Sequence, residues 1–287
     1  MQTEDMNAPR LTIRLATSAD KAPVLDFCAT TWSHGDYVGA VWDDWLADPD
    51  SALLVGTLDG QPVALAHVQV THDTVASAGW FEGLRVAPAQ RGRGFGRQML
   101  ERSILEARQR GVTVLRLLTN HANVVMPVLL PRLGFVLCYT TTWYVARATD
   151  ASLAPLETVA AVPAMPDPIQ APLLRATGGL YAEGWGFAAF TSERLHAHVA
   201  AGEVVCVPGC DGWAILKHDG ETRRPALELV VGDVVGLMRG LRAHPLVQEH
   251  GEIAALLPID SEAARLAQAA GYTAESYHLG VYALDLT

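Results

Sequence analysis

The chain has 287 residues, half of them apolar and only 18% charged. That describes a folded globular protein rather than a disordered one, and the length exceeds what one hydrophobic core usually organises, so two domains are expected. A formal charge of -10 argues against broad nucleic-acid or anionic-membrane binding, since both need a net basic surface.

The opening MQTEDMNAPRLTIRLA carries no apolar core of signal-peptide length, and no stretch approaches a membrane span. The expected location is cytoplasmic, with neither membrane nor nucleic acid as partner. Cys28, Cys138, Cys206 and Cys210 read as reduced thiols. The last two are close, but the further ligands of a zinc site are not apparent, so no metal is expected.

Leu11 to Leu15 is a short apolar strand, and Ser18 and Asp20 offer N-cap chemistry for a helix running toward Trp32. Ala52 to Leu58, then Asp59-Gly60, then Pro62 to Val70 reads as a hairpin, because Asp-Gly suits the positive φ angles of a type I′ turn. Gly79 to Val86 is a strand. A helix is expected from about Phe95 to Arg110, with Met99, Leu100, Ile104 and Leu105 on one side and Gly111 as its stop. Val112 to Leu118 reads as a strand, Val124 to Arg132 as a short helix, and Phe135 to Arg147 as a strand region.

Between Ala148 and Pro172 the composition shifts to Ala, Pro, Thr and Asp, with prolines at 155, 163, 166, 168 and 172. That marks a linker. The expected division is a first domain over residues 1–150, a linker over 151–172 and a second domain over 173–287.

The second half echoes the first. Glu203 to Val207 pairs with Gly212 to His218, Ala226 to Val231 follows, and helices are expected over Val234 to Ala243 and Ser261 to Ala270. Glu252 to Leu257 and Tyr277 to Leu286 are strands. Leu133-Gly134-Phe135 is matched by Ala270-Gly271-Tyr272, which supports an internal repeat. His196 and His198 stand two apart on an expected helix, on different faces, so they do not suggest a metal pair.

The segment Gly83-Leu84-Arg85-Val86-Ala87-Pro88-Ala89-Gln90-Arg91-Gly92-Arg93-Gly94-Phe95-Gly96-Arg97 reads as a strand, a glycine-rich turn and a helix. Glycines let backbone approach an anion, and the first helical turn adds unpaired N–H donors plus its dipole. The arginines gathered between residues 82 and 110 make a local phosphate cradle in an acidic chain. A Walker loop needs Gly-Lys-Ser/Thr, and this turn ends Gly-Phe-Gly-Arg. A Rossmann fingerprint needs its third glycine one residue later and an acidic residue where Val114-Leu115-Arg116 lies.

Arg91-x-x-Gly94-x-Gly96, following Leu84-x-Val86-x-Pro88, resembles the pyrophosphate motif of the GNAT N-acetyltransferase superfamily. Ile13-Arg14-Leu15-Ala16-Thr17 followed by Asp20 is similar to the family's opening, and Asn123, eleven residues before Gly134-Phe135, to its second cofactor motif. The resemblance covers residues 11 to 147. It implies an α/β acyl-CoA N-acyltransferase fold, a mixed and mostly antiparallel sheet flanked by helices, with acetyl-CoA as co-substrate. Residue by residue, backbone N–H groups of Arg91, Gly92, Arg93, Gly94, Phe95, Gly96 and Arg97 would hold the pyrophosphate. The strand edge at Leu84, Arg85 and Val86 would pair with the pantetheine arm, and Asn123 would hydrogen-bond that arm from the other side. The second half lacks the glycine turn, since Val231-Gly232-Asp233 leads straight into a helix, so it resembles a degenerate domain of the same kind.

Acetyl transfer needs a neutral amine, and a positioned carboxylate that takes its proton contributes about 10²–10⁴-fold in rate. Glu82 matches the strand position where the family often carries a glutamate base, and alternation puts it on the same face as Leu84. Leu130 stands where many relatives carry a tyrosine acid; Tyr139 and Tyr144 on the next strand are candidate substitutes for it, though they read first as packing residues. The stretch from Trp32 to Leu46 lies where such proteins build the acceptor pocket and, with residues 82–86, is similar to the histidine N-acetyltransferase group. That likeness implies a free amino acid or other small amine as acceptor, with Asp36, Tyr37 and Trp42 as candidate contacts. A non-catalytic acyl-CoA sensor is the alternative reading, and the chain reads equally as monomer or homodimer.

Overall fold

The computed structural model describes residues 10–31, 35–72, 77–149, 157–167, 171–218 and 224–287. Trp32, Ser33 and His34, and the linker prolines Pro155 and Pro168, lie outside them. The backbone divides into two compact units. One holds the described residues up to Leu118, then Val124–Val136 and Tyr282–Thr287; the other holds Thr119–Asn123 and Leu137–Val281. The linear division read from the sequence breaks at 151–172, whereas the units exchange beside Val136 and again beside Val281.

The first unit contains β1 (Thr12–Leu15), α1 (Lys21–Cys28), α2 (Val38–Ala47), β2 (Ala52–Leu58), β3 (Gln61–His72), β4 (Ser77–Val86), α3 (Phe95–Gln109), most of β5 (Val114–Asn120) and α4 (Met126–Arg132). β1 to β4 are antiparallel neighbours in order, and β5 runs parallel to β4, with α3 as the crossover that a parallel pair requires. Asp59 and Gly60 both have positive φ, 50° and 80°, the geometry that matches hairpin twist.

β2 and β3 are buried on both faces, which is why they read as continuous apolar runs. On one face Leu54, Ala66, Val68 and Phe81 pack with Met99, Leu100 and Ile104 of α3 and Leu130 of α4; Tyr282 and Leu284 complete that core. On the other, Leu53, Val55 and Leu65 pack with Val24, Val38 and Trp42. Two expectations are corrected. Leu105 is half exposed (50%), because one step past Ile104 turns it off the buried stripe that Ser103 and Ala107 continue. Ser18 does not cap: Thr17 opens a single 3-10 turn over Ser18–Asp20, and Asp20 stands at the N-cap of α1, its side chain turned back to accept from the Thr17 N–H and Oγ1 at 2.8 and 2.9 Å. Arg14 donates twice to the same carboxylate, and its hydrogen bonds hold Asp20 down to about 2.

The second unit contains β6 (Val136–Arg147, from Leu137), β7 (Glu157–Thr158), α5 (Pro172–Thr177), β8 (Leu180–Glu183), β9 (Gly186–Ala189), α6 (Ser192–Ala200), β10 (Val204–Cys206), β11 (Gly212–Lys217), β12 (Ala226–Gly232), α7 (Val234–Leu241), α8 (Pro245–His250), β13 (Glu252–Pro258), α9 (Glu262–Ala269), β14 (Thr273–Ala274) and the start of β15 (Leu279–Asp285). The sequence does not announce α5, α8 or the β8–β9 hairpin. The strand order β7-β10-β11-β12-β13 repeats that of β1 to β5, antiparallel except for the parallel β12–β13 step.

The paired Gly-aromatic echoes have the same geometry. Gly134 and Gly271 both have φ of 90°, and Phe135 N and Tyr272 N each donate at 3.0 Å, to Leu130 O and Ala267 O, which end equivalent helices. His198 is buried and bonds Tyr181 and the half-buried Glu203, at 2.9 and 2.6 Å, and His196 bonds back to Ser192. Among the described residues no helix is long and apolar enough to cross a membrane.

Candidate active site

The site begins with a break in strand register. Leu65 pairs with Arg85 and His67 with Glu82, so one residue separates the pairs on β3 and two on β4. β4 therefore bulges at Gly83, whose φ is 65°. A Cβ there would also stand 2.8 Å from the Trp45 ring, so both conformation and space require glycine. The bulge corrects the alternation argument. Leu84 packs toward α3, while Glu82 shares the opposite face with Arg85, over α1 and α2.

On that face Glu82 Oε1 lies 2.9 Å from His67 Nδ1. The His67 ring stacks on Trp45 with centroids 4.3 Å apart and planes 13° from parallel. His67 is closed off (2% exposed side chain), whereas Glu82 keeps an open side (26%). His67 Nε2 is buried and makes no hydrogen bond among the described residues. Trp45 meets Tyr37 edge-on at 6.0 Å, and Arg85 lies 5.3 Å over the Tyr37 ring.

Arg85 grips Asp36 with Nε to Oδ2 at 2.7 Å and a second nitrogen to Oδ1 at 3.1 Å. Burial pushes the Asp36 carboxyl upward, but the hydrogen bonds and charge of Arg85 outweigh it and hold the group below its usual range. Asp36 is thus an internal anion, already paired. Trp42 lies wholly inside the α1–α2 core and cannot flank a ligand; Trp45, one turn on, stacks on His67 and borders Gly83 instead. Tyr37 stays partly exposed.

Two residues were missed by sequence reasoning, His67 and Trp45. A signal for the first existed: His67 is the one polar residue in the six-residue buried run from Val63 to Val68. Nothing in the spacing of α2 distinguishes Trp45 from Trp42.

Pairing between β4 and β5 ends at Phe81 with Leu117, so Glu82–Val86 leave β5 and expose a strand edge. Beyond it comes the glycine turn. Gly92 and Gly94 have φ of 76° and 78°, and no protein atom lies within 4 Å of a Cβ built on either, so the turn is open on that side. Phe95 is buried and anchors the start of α3, which carries no side-chain cap. First-turn N–H groups of such a helix lack intrahelical partners and favour an anion. Arg91, Arg93 and Arg97 are exposed around it. Arg91 Nε donates to Val86 O at 3.1 Å, Arg93 bonds Gln90, and Arg97 pairs with Glu101 at 2.7 Å. This turn fits a phosphate-bearing group. Asn123 sits in the turn after β5, its N–H donating to Asn120 O at 2.9 Å, and belongs with the second unit, whereas Glu82 and the glycine turn belong with the first. Leu130 is fully buried.

Residues 22–135 match the sequence profile of the Acetyltransferase (GNAT) family. The chain is 33% identical over 141 residues to L-amino acid N-acyltransferase MnaT of Escherichia coli (strain K12), covering 44% of this chain and 80% of that protein. Among solved structures it is similar to a GCN5-related N-acetyltransferase from Sphaerobacter thermophilus, with a TM-score of 0.61 at 14% identity over 96% of each chain. It is also similar to a tandem GNAT protein from the clavulanic acid biosynthesis pathway, with a TM-score of 0.59 at 14% identity over 96% of this chain and 98% of that one. At such identities the structural likeness bears on the fold alone.

Proposed function

From the premise that the chain belongs to the acetyltransferase (GNAT) family and has its fold, we propose that it moves an acetyl group from acetyl-CoA to the primary amine of a free amino acid or similar small molecule. The observation that carries this reading is Glu82, a carboxylate with one oxygen tied to His67 and one open side, in the same unit as an uncapped glycine-rich turn.

The chemistry follows from those parts. Acetyl-CoA supplies an activated acyl group as a thioester. The N–H groups of the turn from Arg91 to Arg97 hold its pyrophosphate, and the β4 edge from Leu84 to Val86 receives its pantetheine arm. An α-amino group, with a pKa of about 8, is largely protonated at neutral pH and cannot attack until it loses a proton. Glu82 accepts that proton, directly or through one water, and returns it to solvent through its open side. The leaving thiol has a reference pKa of roughly 8.5, so a buried Leu130 in place of a tyrosine acid is tolerable.

Tyr37 and Trp45 form an aromatic wall beside Glu82, suited to the apolar part of an acceptor. Asp36 shapes the site through Arg85 rather than by binding the amine. The similarity to an L-amino acid N-acyltransferase supports an amino-acid acceptor, and the likeness of residues 32–46 and 82–86 to histidine N-acetyltransferases makes histidine the first to try.

The test mixes the protein with acetyl-CoA and a panel of amino acids and polyamines, following thiol release and product mass. Acceptor-dependent release should appear in wild type and fall roughly 10²–10⁴-fold in Glu82→Gln. Cofactor binding without turnover across the panel would replace this reading with that of an acyl-CoA sensor.

A further inference from the structure

We infer that His67 is a positioning residue: its Nδ1–H holds Glu82 Oε1 and turns the second oxygen, Oε2, toward the acceptor. The inference rests on Glu82 being the general base.

The hydrogen bond fixes where the proton sits. An ionised carboxylate only accepts, so at 2.9 Å the shared hydrogen belongs to His67 Nδ1. The other nitrogen has no such partner: Nε2 is buried and makes no bond among the described residues, so the ring's one hydrogen bond there is the one to Glu82.

The same burial argues for a fixed orientation rather than a relay: the side chain is 2% exposed, and its Nε2 has no partner among the described residues to pass a proton to. The ring is instead clamped for direction. It sits on a central strand, lies flat against Trp45, and borders the bulge at Gly83, where a Cβ would approach both Trp45 and the His67 Cβ. A leucine would fill that space without an unpaired nitrogen, so packing alone gives no reason for histidine in an otherwise apolar buried run. Holding one carboxylate oxygen so that the other points at the reacting amine gives a reason, because small misplacements at a reacting centre cost on the order of 10²-fold in rate.

The experiment compares His67→Leu, His67→Asn, Glu82→Gln and the double variant Glu82→Gln/His67→Leu. Acetyl-CoA is the donor and a mixture of the twenty L-amino acids the acceptor, with thermal melting as the folding control. We expect His67→Leu to lower kcat roughly 10²-fold while leaving KM for acetyl-CoA within about twofold. His67→Asn, whose amide N–H can stand near the Nδ1 position, should recover most of that loss. The double variant should be no slower than Glu82→Gln alone, as expected for two residues acting as a unit. His67→Leu within about twofold of wild type, His67→Asn as slow as His67→Leu, or a double variant slower still would each overturn the positioning role while leaving Glu82 in place. Absence of turnover by wild type in the mixture, or full activity of Glu82→Gln, would overturn the general-base reading and His67 with it.

Discussion

The two units carry the same strand order and join the fourth strand to its helix in opposite ways. Between β4 and α3, residues 87–94 form a turn with Gly92 and Gly94 left-handed, and the helix starts without a side-chain cap. Between β12 and α7 stands Asp233, whose Oδ1 accepts from Gly236 N at 3.0 Å. Both helices present a partial positive charge at that end. In the second unit a carboxylate from the chain already satisfies it, whereas in the first no side-chain cap does. The acids beside the fourth strand differ in the same sense. β12 also bulges, since Ile215 pairs with Leu229 and Leu216 with Leu227, but the extra residue is Glu228. Glu228 is 1% exposed, its Oε1 accepts from Gly184 N at 3.1 Å, and its Oε2 makes no hydrogen bond among the described residues. One unit thus carries an open acid and an uncapped turn; the other carries a sealed acid and a capped one.

The sealed acid gives the largest stability effect that would break this contrast. Burial pushes Glu228 up to about 8, against the smaller opposing influence of Lys217 and the Gly184 amide. The folded state therefore holds a proton that the unfolded chain, near the usual carboxylate value of about 4.3, has released. Stability from this group is complete below about pH 4 and declines as pH rises toward about 8. Glu228→Gln, which cannot ionise, should lack that decline. Melting curves from pH 5 to 9 should show the variant gaining on wild type by roughly 2–4 kcal/mol, the upper figure being the linkage limit over that range. Parallel curves would mean that Glu228 titrates normally and is not sealed.

Next in size is the open turn. Gly94 has φ of 78°, a conformation that a β-branched residue adopts only with strain of about 1–3 kcal/mol. A Cβ there meets no protein atom, so the strain acts on the turn's shape rather than on packing. Gly94→Val should raise the acetyl-CoA Kd roughly 10–100-fold by calorimetry, with the melting temperature falling by between a few degrees and about 10 °C, as that strain requires. Unchanged affinity would show that the turn is not the anion site.

Features set by neighbouring residues were legible in the sequence: the Asp59-Gly60 hairpin, the stripe of α3, the glycine turn and the paired Gly134 and Gly271. Features set by pairing between distant segments were not. The bulge at Gly83 is a property of β3 and β4 together, and one extra residue moved Leu84 to the opposite face from Glu82. The His67–Glu82 bond spans fifteen positions and involves a residue that reads as a flaw in an apolar strand. Trp42 and Trp45 lie three apart on α2, and only packing on Leu53 and Val55 decides which is core. The short α5 and the β8–β9 hairpin offer too few residues for a period to emerge.

The smallest effect is the most diagnostic of why the second unit differs. Asp233→Ala removes the cap of α7, which typically costs about 1 kcal/mol, and Asp233→Asn, which keeps an accepting oxygen, should restore most of it. Neither change supplies the left-handed glycines that shape the first turn, so the stoichiometry of acetyl-CoA binding, measured by calorimetry, should be the same in both variants as in wild type. An added binding event in Asp233→Ala alone would show that a built-in carboxylate, rather than the missing loop, keeps an anion from α7. The two turns would then differ in occupancy and not in kind, because an exposed helix start attracts anions whether or not glycines precede it.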